Sequence, residues 1–125
     1  MNFEKYSHIV DNLLSRHWAV ADTQVRVKKV SLNFGRIDGK IVLLDGSYID
    51  FSEEIWTVAK LVTKLNYRYE YVKEKSEIFR YDNFARHPGI RAPCHHKHVS
   101  KRRAVQLEEA PKLIDVIEEA VRYMF

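Results

Sequence analysis

The residues with the most chemical potential lie between Arg80 and His98. This stretch contains four of the six histidines and the one cysteine of the chain, together with several fixed cations. Imidazole titrates near neutral pH and arginine stays charged, so the segment is suited to proton transfer and phosphate binding rather than to a core. The candidate side chains are those of Arg80, Asp82, Asn83, Arg86, His87, His95, His96, Lys97 and His98.

The run from His95 to His98 is a candidate metal site. Zinc binds imidazole, and His96 and His98 would share one face of an extended segment while His95 faces away. Zinc sites usually add a second group of Cys or His, but outside the stretch the chain has only the separate His8 and His17. We therefore expect no metal and no other cofactor.

Cys94 is a candidate nucleophile, because His95 and Lys97 could favour its thiolate form. Neighbouring residues of an extended segment point to opposite faces, however, so Cys94 and His95 are not placed as partners. A small, inert residue is the simpler interpretation of Cys94.

Metal-independent cleavage of RNA is a third use of the same stretch. The reaction needs a base for the 2′-hydroxyl proton, an acid for the leaving 5′-oxygen, and cations around the phosphate. His95, His96 and His98 would supply acid and base, Asp82 would orient one imidazole, and Arg80 and Lys97 would hold phosphate. The alternative is structural: Asp82 and Asn83 would close a strand by turn-type hydrogen bonds, and the histidines would bind backbone carbonyls.

The composition is that of a soluble, single-domain protein. The 125 residues are 46% hydrophobic and 30% charged, and no apolar run approaches the ~20 residues of a membrane span. The first residues lack the pattern of a signal peptide, and one cysteine cannot form an internal disulfide, so we expect a cytoplasmic protein. The net charge of +4 and the basic clusters would attract a polyanion such as RNA or DNA, although a solvated face is the more frequent explanation of any single cluster.

The hydrophobic pattern predicts a helix from Phe3 to about Trp18 and a strand from Thr23 to Phe34. Two Asp-Gly pairs, Asp38-Gly39 and Asp45-Gly46, are typical of hairpin turns and predict a three-stranded meander. Residues 55–63 are expected to form a short helix or a loop.

A second hairpin is predicted where Tyr67, Tyr69 and Tyr71 alternate with polar residues, turning at residues 73–76 into a strand that ends at Asp82. The tyrosines indicate a half-buried strand face. Helical spacing from Ala110 to Phe125 predicts a closing helix. The fold class is therefore α+β, a single antiparallel sheet of about five strands with an N-terminal and a C-terminal helix, forming one domain over residues 1–125.

The sequence resembles the TumE family of type II toxins in three motifs and a closing segment. These are Arg80-Tyr81-Asp82-Asn83, His87-Pro88, His95-His96-Lys97-His98 and residues 110–117. The resemblance implies a toxin neutralised by a cognate antitoxin with a helix-turn-helix domain. It also carries over Asp82, Asn83, His87, His95, His96 and His98 as site residues. The chain has Arg86 where the family usually has a histidine, and we interpret Arg86 as a phosphate contact.

Two functions from different classes remain open at this point. One is an endoribonuclease toxin that acts through the histidine-rich stretch. The other is a non-enzymatic module that uses the same basic stretch to bind nucleic acid or an acidic protein. A homodimer is compatible with both, and neither needs a membrane.

Overall fold

The computed structural model describes residues 1–84, 95–100 and 104–125. Two helices and seven strands are formed within these ranges. Their bounds are α1 Phe3–Arg16, β1 Val20–Ser31, β2 Phe34–Leu43, β3 Tyr48–Val58, β4 Leu61–Lys73, β5 Ser76–Asp82, β6 His96–Val99, β7 Val105–Gln106 and α2 Leu113–Val121.

All described strands belong to one antiparallel sheet whose spatial order, β1 to β7, is also the order along the chain. The α+β class, the single antiparallel sheet and the two terminal helices are confirmed. The predicted count of about five strands is too low, because β6 forms from the histidine run itself and the two-residue β7 pairs with it.

The prediction of a helix or loop over residues 55–63 is wrong. These residues form the ends of β3 and β4, which remain paired from Trp56 and Thr63 to Val58 and Leu61. Ile55 and Thr57 are buried while Trp56 and Val58 are exposed, which is the two-residue period of a strand. The turn itself is tight, with Ala59 at φ +53°.

The Asp38-Gly39 pair is not a turn, contrary to prediction. It lies inside β2, and Leu32 and Asn33 make the turn from β1 instead. Gly39 has φ +156°, and a Cβ atom there would lie 2.1 Å from the carbonyl oxygen of Gln24. This glycine is therefore needed for the close approach of β1 and β2. The Asp45-Gly46 turn is confirmed, with Gly46 at φ +86°.

The core lies on one face of the sheet, which we call the first face. Helix α1 packs there against β1, β2 and β3, and α2 is joined to β5 and β6 through contacts of Glu119 with Tyr81 and Lys97. Tyr67, Tyr69 and Tyr71 are buried completely, more than the half-buried face that the sequence predicts. The opposite, second face carries the intervening polar residues, including Arg68, Arg80 and Asp82. Within the described residues, neither helix is long and apolar enough to span a membrane.

Candidate active site

The strand pair β5–β6 joins the two ends of the histidine-rich stretch. Asp82, the last residue of β5, is opposite His96, and Arg80 is opposite His98. Residues paired across antiparallel strands project from the same face of the sheet. The register therefore gathers these four side chains on the second face, although 13 residues separate Asp82 from His96 in the sequence.

Asp82 is the centre of this group, which we call the Asp82 cluster. Its Oδ1 atom lies 2.5 Å from His96 Nε2 and accepts a 3.3 Å hydrogen bond from the backbone N–H of Phe84. Its Oδ2 atom accepts a 2.9 Å hydrogen bond from Arg80 Nε and lies 3.8 Å from His98 Nε2. One carboxylate thus contacts an arginine and two imidazoles.

The four side chains of the Asp82 cluster differ in access to solvent. Asp82 and His96 are 1% and 0% exposed, whereas His98 and Arg80 are 12% and 22% exposed. A buried carboxylate needs compensating donors, which Arg80 Nε and the Phe84 backbone N–H provide, and His96 Nε2 lies at ion-pair distance. Asp82 and His96 therefore form the buried part of the cluster, His98 is largely buried with its Nε2 atom out of solvent, and Arg80 is the most exposed of the four.

The Asp82 cluster also has ligand types that bind metals. Asp82, His96 and His98 each offer one ligand atom, and the three atoms lie within 4.8 Å of one another. Two imidazoles and a carboxylate are ligands for zinc or iron. The carboxylate is, however, already bound by the fixed positive charge of Arg80, which opposes a second cation.

His95 lies apart from the cluster, next to a tyrosine of the first face. Its Nδ1 atom is 2.9 Å from the Tyr67 hydroxyl oxygen, and the two rings stack with centroids 5.7 Å apart. Burial lowers the pKa of His95, the neighbouring Glu109 carboxylate opposes this effect, and His96 adds to it. Burial also raises the pKa of Tyr67, so the tyrosine keeps its proton and can donate it to Nδ1.

Asn83 and Lys97 have contacts of a structural kind. Asn83 accepts a 3.0 Å hydrogen bond from the backbone N–H of Tyr67 and donates one of 2.9 Å to the Leu65 carbonyl, which ties the end of β5 to β4. Lys97 projects from the first face, where its Nζ atom is 2.6 Å from Glu119 Oε2 in α2.

The structure therefore brings together Arg80, Asp82, His96 and His98, and it places His95, Asn83 and Lys97 elsewhere. His87 and Arg86, also predicted as site residues, fall outside the described residues, as does Cys94.

Two charged neighbours of the cluster were missed by the sequence analysis. Glu77 holds the second end of the Arg80 guanidinium at 3.1 Å, and Arg68 is opposite Asp82 in the β4–β5 register. The position of Arg68 could have been predicted from the second hairpin. If Tyr69 pairs with Tyr81, then Arg68 is opposite Asp82.

Comparisons with known proteins identify the family. No curated protein and no solved structure matched the chain. The family model described as Toxin TumE matches residues 8–124, nearly the whole sequence and all of β1 to β7. This chain belongs to the TumE toxin family, and its role is that of a toxin.

Proposed function

We propose that this toxin is a metal-independent endoribonuclease and that the Asp82 cluster is its reaction centre. The observation that carries the proposal is the contact of one buried carboxylate with His96, His98 and Arg80. Imidazoles suit proton transfer near neutral pH, and a guanidinium suits the charge of a phosphate in the transition state.

In the proposed reaction the 2′-oxygen of the RNA attacks the neighbouring phosphorus atom and the bond from phosphorus to the 5′-oxygen breaks. One neutral imidazole takes the 2′-hydroxyl proton, and one protonated imidazole gives a proton to the departing 5′-oxygen. His98 is the more exposed ring and serves as one of these two imidazoles. His96, whose ring centroid lies 4.8 Å away, is fully buried, so it positions His98 and is itself oriented by Asp82; the other proton-transferring imidazole is to be identified among His87 and His95.

The remaining predicted residues have supporting roles in this proposal. Arg80 stabilises the phosphate, and Arg86 is a further phosphate contact to be tested. Lys97, predicted from the sequence to hold phosphate, projects from the first face to Glu119 and is not part of this centre. His87 and His95 are additional imidazoles whose alanine variants belong in the same series. Asn83 fixes the backbone where β5 ends.

The test is cleavage of single-stranded RNA by the purified protein in the presence of EDTA. His98→Ala should lower the cleavage rate by about 100-fold or more, as expected for loss of an acid or base. His8→Ala, which removes an exposed histidine of α1, is the matched control and should cleave like the wild type. RNA that survives both with EDTA and with added Mg²⁺ or Zn²⁺ would overturn the proposal.

We further propose that a neighbouring reading frame encodes an antitoxin with a helix-turn-helix domain. Membership of a toxin family supports this pairing. A basic, histidine-rich surface is blocked most directly by acidic or aromatic groups laid over it, so we place the contact at Arg80 to His98.

The rival function is a non-enzymatic module that binds nucleic acid or an acidic protein. One observation favours it: His96 is completely buried and out of reach of a substrate. Binding by total charge should be insensitive to single histidines but sensitive to charge reversal of Lys101, Arg102 and Arg103. Equal growth inhibition by the wild type and a His95→Ala, His98→Ala double variant would select this rival.

A further inference from the structure

A cavity of about 820 Å³ lies on the first face of the sheet. Its walls come from α1, from β4 and from the segment that leads into α2, and Asn83 and His95 lie along one side of it. This volume is within the range of small-ligand sites, about 300–1,000 Å³, and corresponds to a ligand pocket rather than a packing defect.

The wall of the cavity is mainly apolar. Ile9 and Leu13 contribute from α1, Leu65 from β4 and Ile114 from α2. Ile9 and Leu65 are 52% and 45% exposed, so the cavity is open to solvent between them. An apolar wall with few polar groups favours a flat, largely apolar ligand that has polar atoms at its edge.

Three charged residues line the cavity, and their signs nearly balance: Lys64 is paired with the buried Glu53, and Lys112 and Glu109 have opposite charges. Lys64 Nζ lies 3.2 Å from Glu53 Oε2 and donates to the Pro111 carbonyl at 2.7 Å. Tyr6 donates a 2.7 Å hydrogen bond to the other oxygen of Glu53. Because the lysine is paired with a buried carboxylate, the cavity has no excess positive charge at this point to attract an anion. An uncharged ring is a better occupant than a phosphate.

His95 supplies a polar group with a defined orientation. The Tyr67 hydroxyl occupies Nδ1 at 2.9 Å, so Nε2 is the ring nitrogen left for a ligand, as a donor or as an acceptor according to the tautomer. Nucleobase edges carry both acceptors and donors for such a group.

The cavity is also close to the Asp82 cluster along the chain. Asn83 directly follows Asp82, and His95 directly precedes His96. Asn83 and His95 face the cavity on the first face, whereas the cluster lies on the second face, so the two are separated by the thickness of the sheet as well as by about 3.3 Å along each strand. A ligand with its ring in the cavity and its phosphate at the cluster would pass around the sheet at the ends of β5 and β6.

From these observations we infer that the cavity holds a nucleobase of the RNA strand, next to the phosphate that is cut. The inference rests on the proposed endoribonuclease function and adds a base-binding subsite to it. The cavity would then select which base is accepted beside the cleavage point, while the Asp82 cluster acts on the backbone.

Nucleotide binding to the full chain tests the inference without relying on cleavage. The four nucleoside 3′-monophosphates are titrated separately into isotopically labelled protein, and amide and imidazole NMR signals are followed. We expect at least one nucleotide to shift the signals of His95 and Leu65. Inorganic phosphate, used as the second probe, should leave these signals unchanged.

Tryptophan variants locate the binding. Leu65→Trp and Ile9→Trp fill the cavity from two sides and should weaken nucleotide binding by about tenfold, which corresponds to about 1.4 kcal/mol. Leu61→Trp is the matched control, because Leu61 is on the same strand, 70% exposed and outside the cavity wall. Its affinity should stay within about twofold of the wild type. Folding of each variant is checked from its amide spectrum.

Several outcomes would overturn the inference: no nucleotide shifts the cavity signals, phosphate alone reproduces the shifts, or both filled variants bind like the wild type. Shifts caused by an apolar helical peptide but by none of the nucleotides would assign the cavity to a protein segment instead. If RNA stays intact while nucleotides bind in a Leu65-dependent manner, the cleavage proposal fails and the base-binding site stands. If RNA is cleaved but no nucleotide binds in the cavity, the base-binding site fails and the cleavage proposal stands.

Discussion

The Nε2 atom of His96 lies 2.5 Å from the Oδ1 atom of Asp82, and both side chains are buried between the end of β5 and the start of β6. Arg80 binds the other oxygen of the same carboxylate. This contact crosses the strand pair that carries the candidate catalytic residues, so it links the stability of the sheet to the geometry of the site.

Replacing Asp82 by alanine should lower the free energy of unfolding by about 3–5 kcal/mol, because it leaves partners of a buried carboxylate uncompensated. Asp38→Ala is the matched control. Asp38 is also bound by two arginines, Arg26 and Arg36, but both of these are largely exposed. Loss of such surface pairs should cost about 1 kcal/mol or less. Urea unfolding measures both values, and equal losses would contradict the central role of Asp82.

The stability of the protein should fall as the pH drops below about 6.5, the ordinary pKa of histidine. Burial lowers the pKa of His95 in the folded state, so the unfolded chain takes up this proton first as the pH decreases. The loss of stability should begin near the pKa of His95 in the unfolded chain and level off below its pKa in the folded protein. Unfolding of the wild type and of His95→Ala, compared from pH 8 to pH 5, measures the effect. Identical pH dependence in the two proteins would contradict it.

Glu53 and Lys64 should show strong energetic coupling. Glu53 is fully buried, and its Oε2 atom is 3.2 Å from Lys64 Nζ. Burial lowers the pKa of Lys64, and the Glu53 carboxylate opposes that shift. Glu53→Leu and Lys64→Met should each destabilise the fold by about 3–5 kcal/mol, because each leaves one buried charge without its partner.

The double variant removes both charges and should be less destabilised than the sum of the two single variants, with a coupling of about 1–3 kcal/mol. Thermal or urea unfolding of the wild type, the two single variants and the double variant measures the four stabilities from which this coupling is calculated. Additive losses would show that the pair does not interact.

Elemental analysis of the purified protein should find no stoichiometric metal. The carboxylate that would complete a site with His96 and His98 already binds Arg80, and a divalent ion would lie next to that positive charge. One zinc ion per chain, lost in His98→Ala, would contradict this prediction and move the imidazoles from acid–base chemistry to metal binding.

Binding of the proposed antitoxin should weaken with added salt and should protect the amides from Arg80 to His98 against hydrogen exchange. Co-expression of the neighbouring gene should restore growth. An antitoxin that protects only α1 and α2, or that neither binds nor rescues, would show that this stretch is not the point of control.

Periodicity was sufficient to predict a helix near each end of the chain and the second hairpin, although α1 ends at Arg16 and α2 spans only Leu113–Val121. Alternation alone did not reveal that Gly39 allows two strands to approach closely, and the Asp38-Gly39 pair was mistaken for a turn. The β3–β4 hairpin was missed for a similar reason: its turn at Ala59 has no Gly, Asn or Asp to mark it.

The sequence identified the types of residue at the candidate site. Which of their side chains contact one another depends on the register of the β5–β6 pair. That Asp82 is opposite His96, rather than one residue away, follows only from the β5–β6 pairing. A shift by one residue would have turned Lys97 toward Asp82 and placed both histidines on the first face. The cavity beside His95 was not predictable either, because its wall combines α1, β4 and α2, three elements distant in the sequence.

The order of the strands has a consequence for how the protein is made. Each described strand pairs with its neighbours in the chain, so the sheet can grow one hairpin at a time during synthesis. His96 and His98 enter with β6, after β1 to β5 have been synthesised. A nascent or truncated chain that ends before His96 therefore has Asp82 and Arg80 but not the imidazoles, and the Asp82 cluster is assembled among the last parts of the molecule.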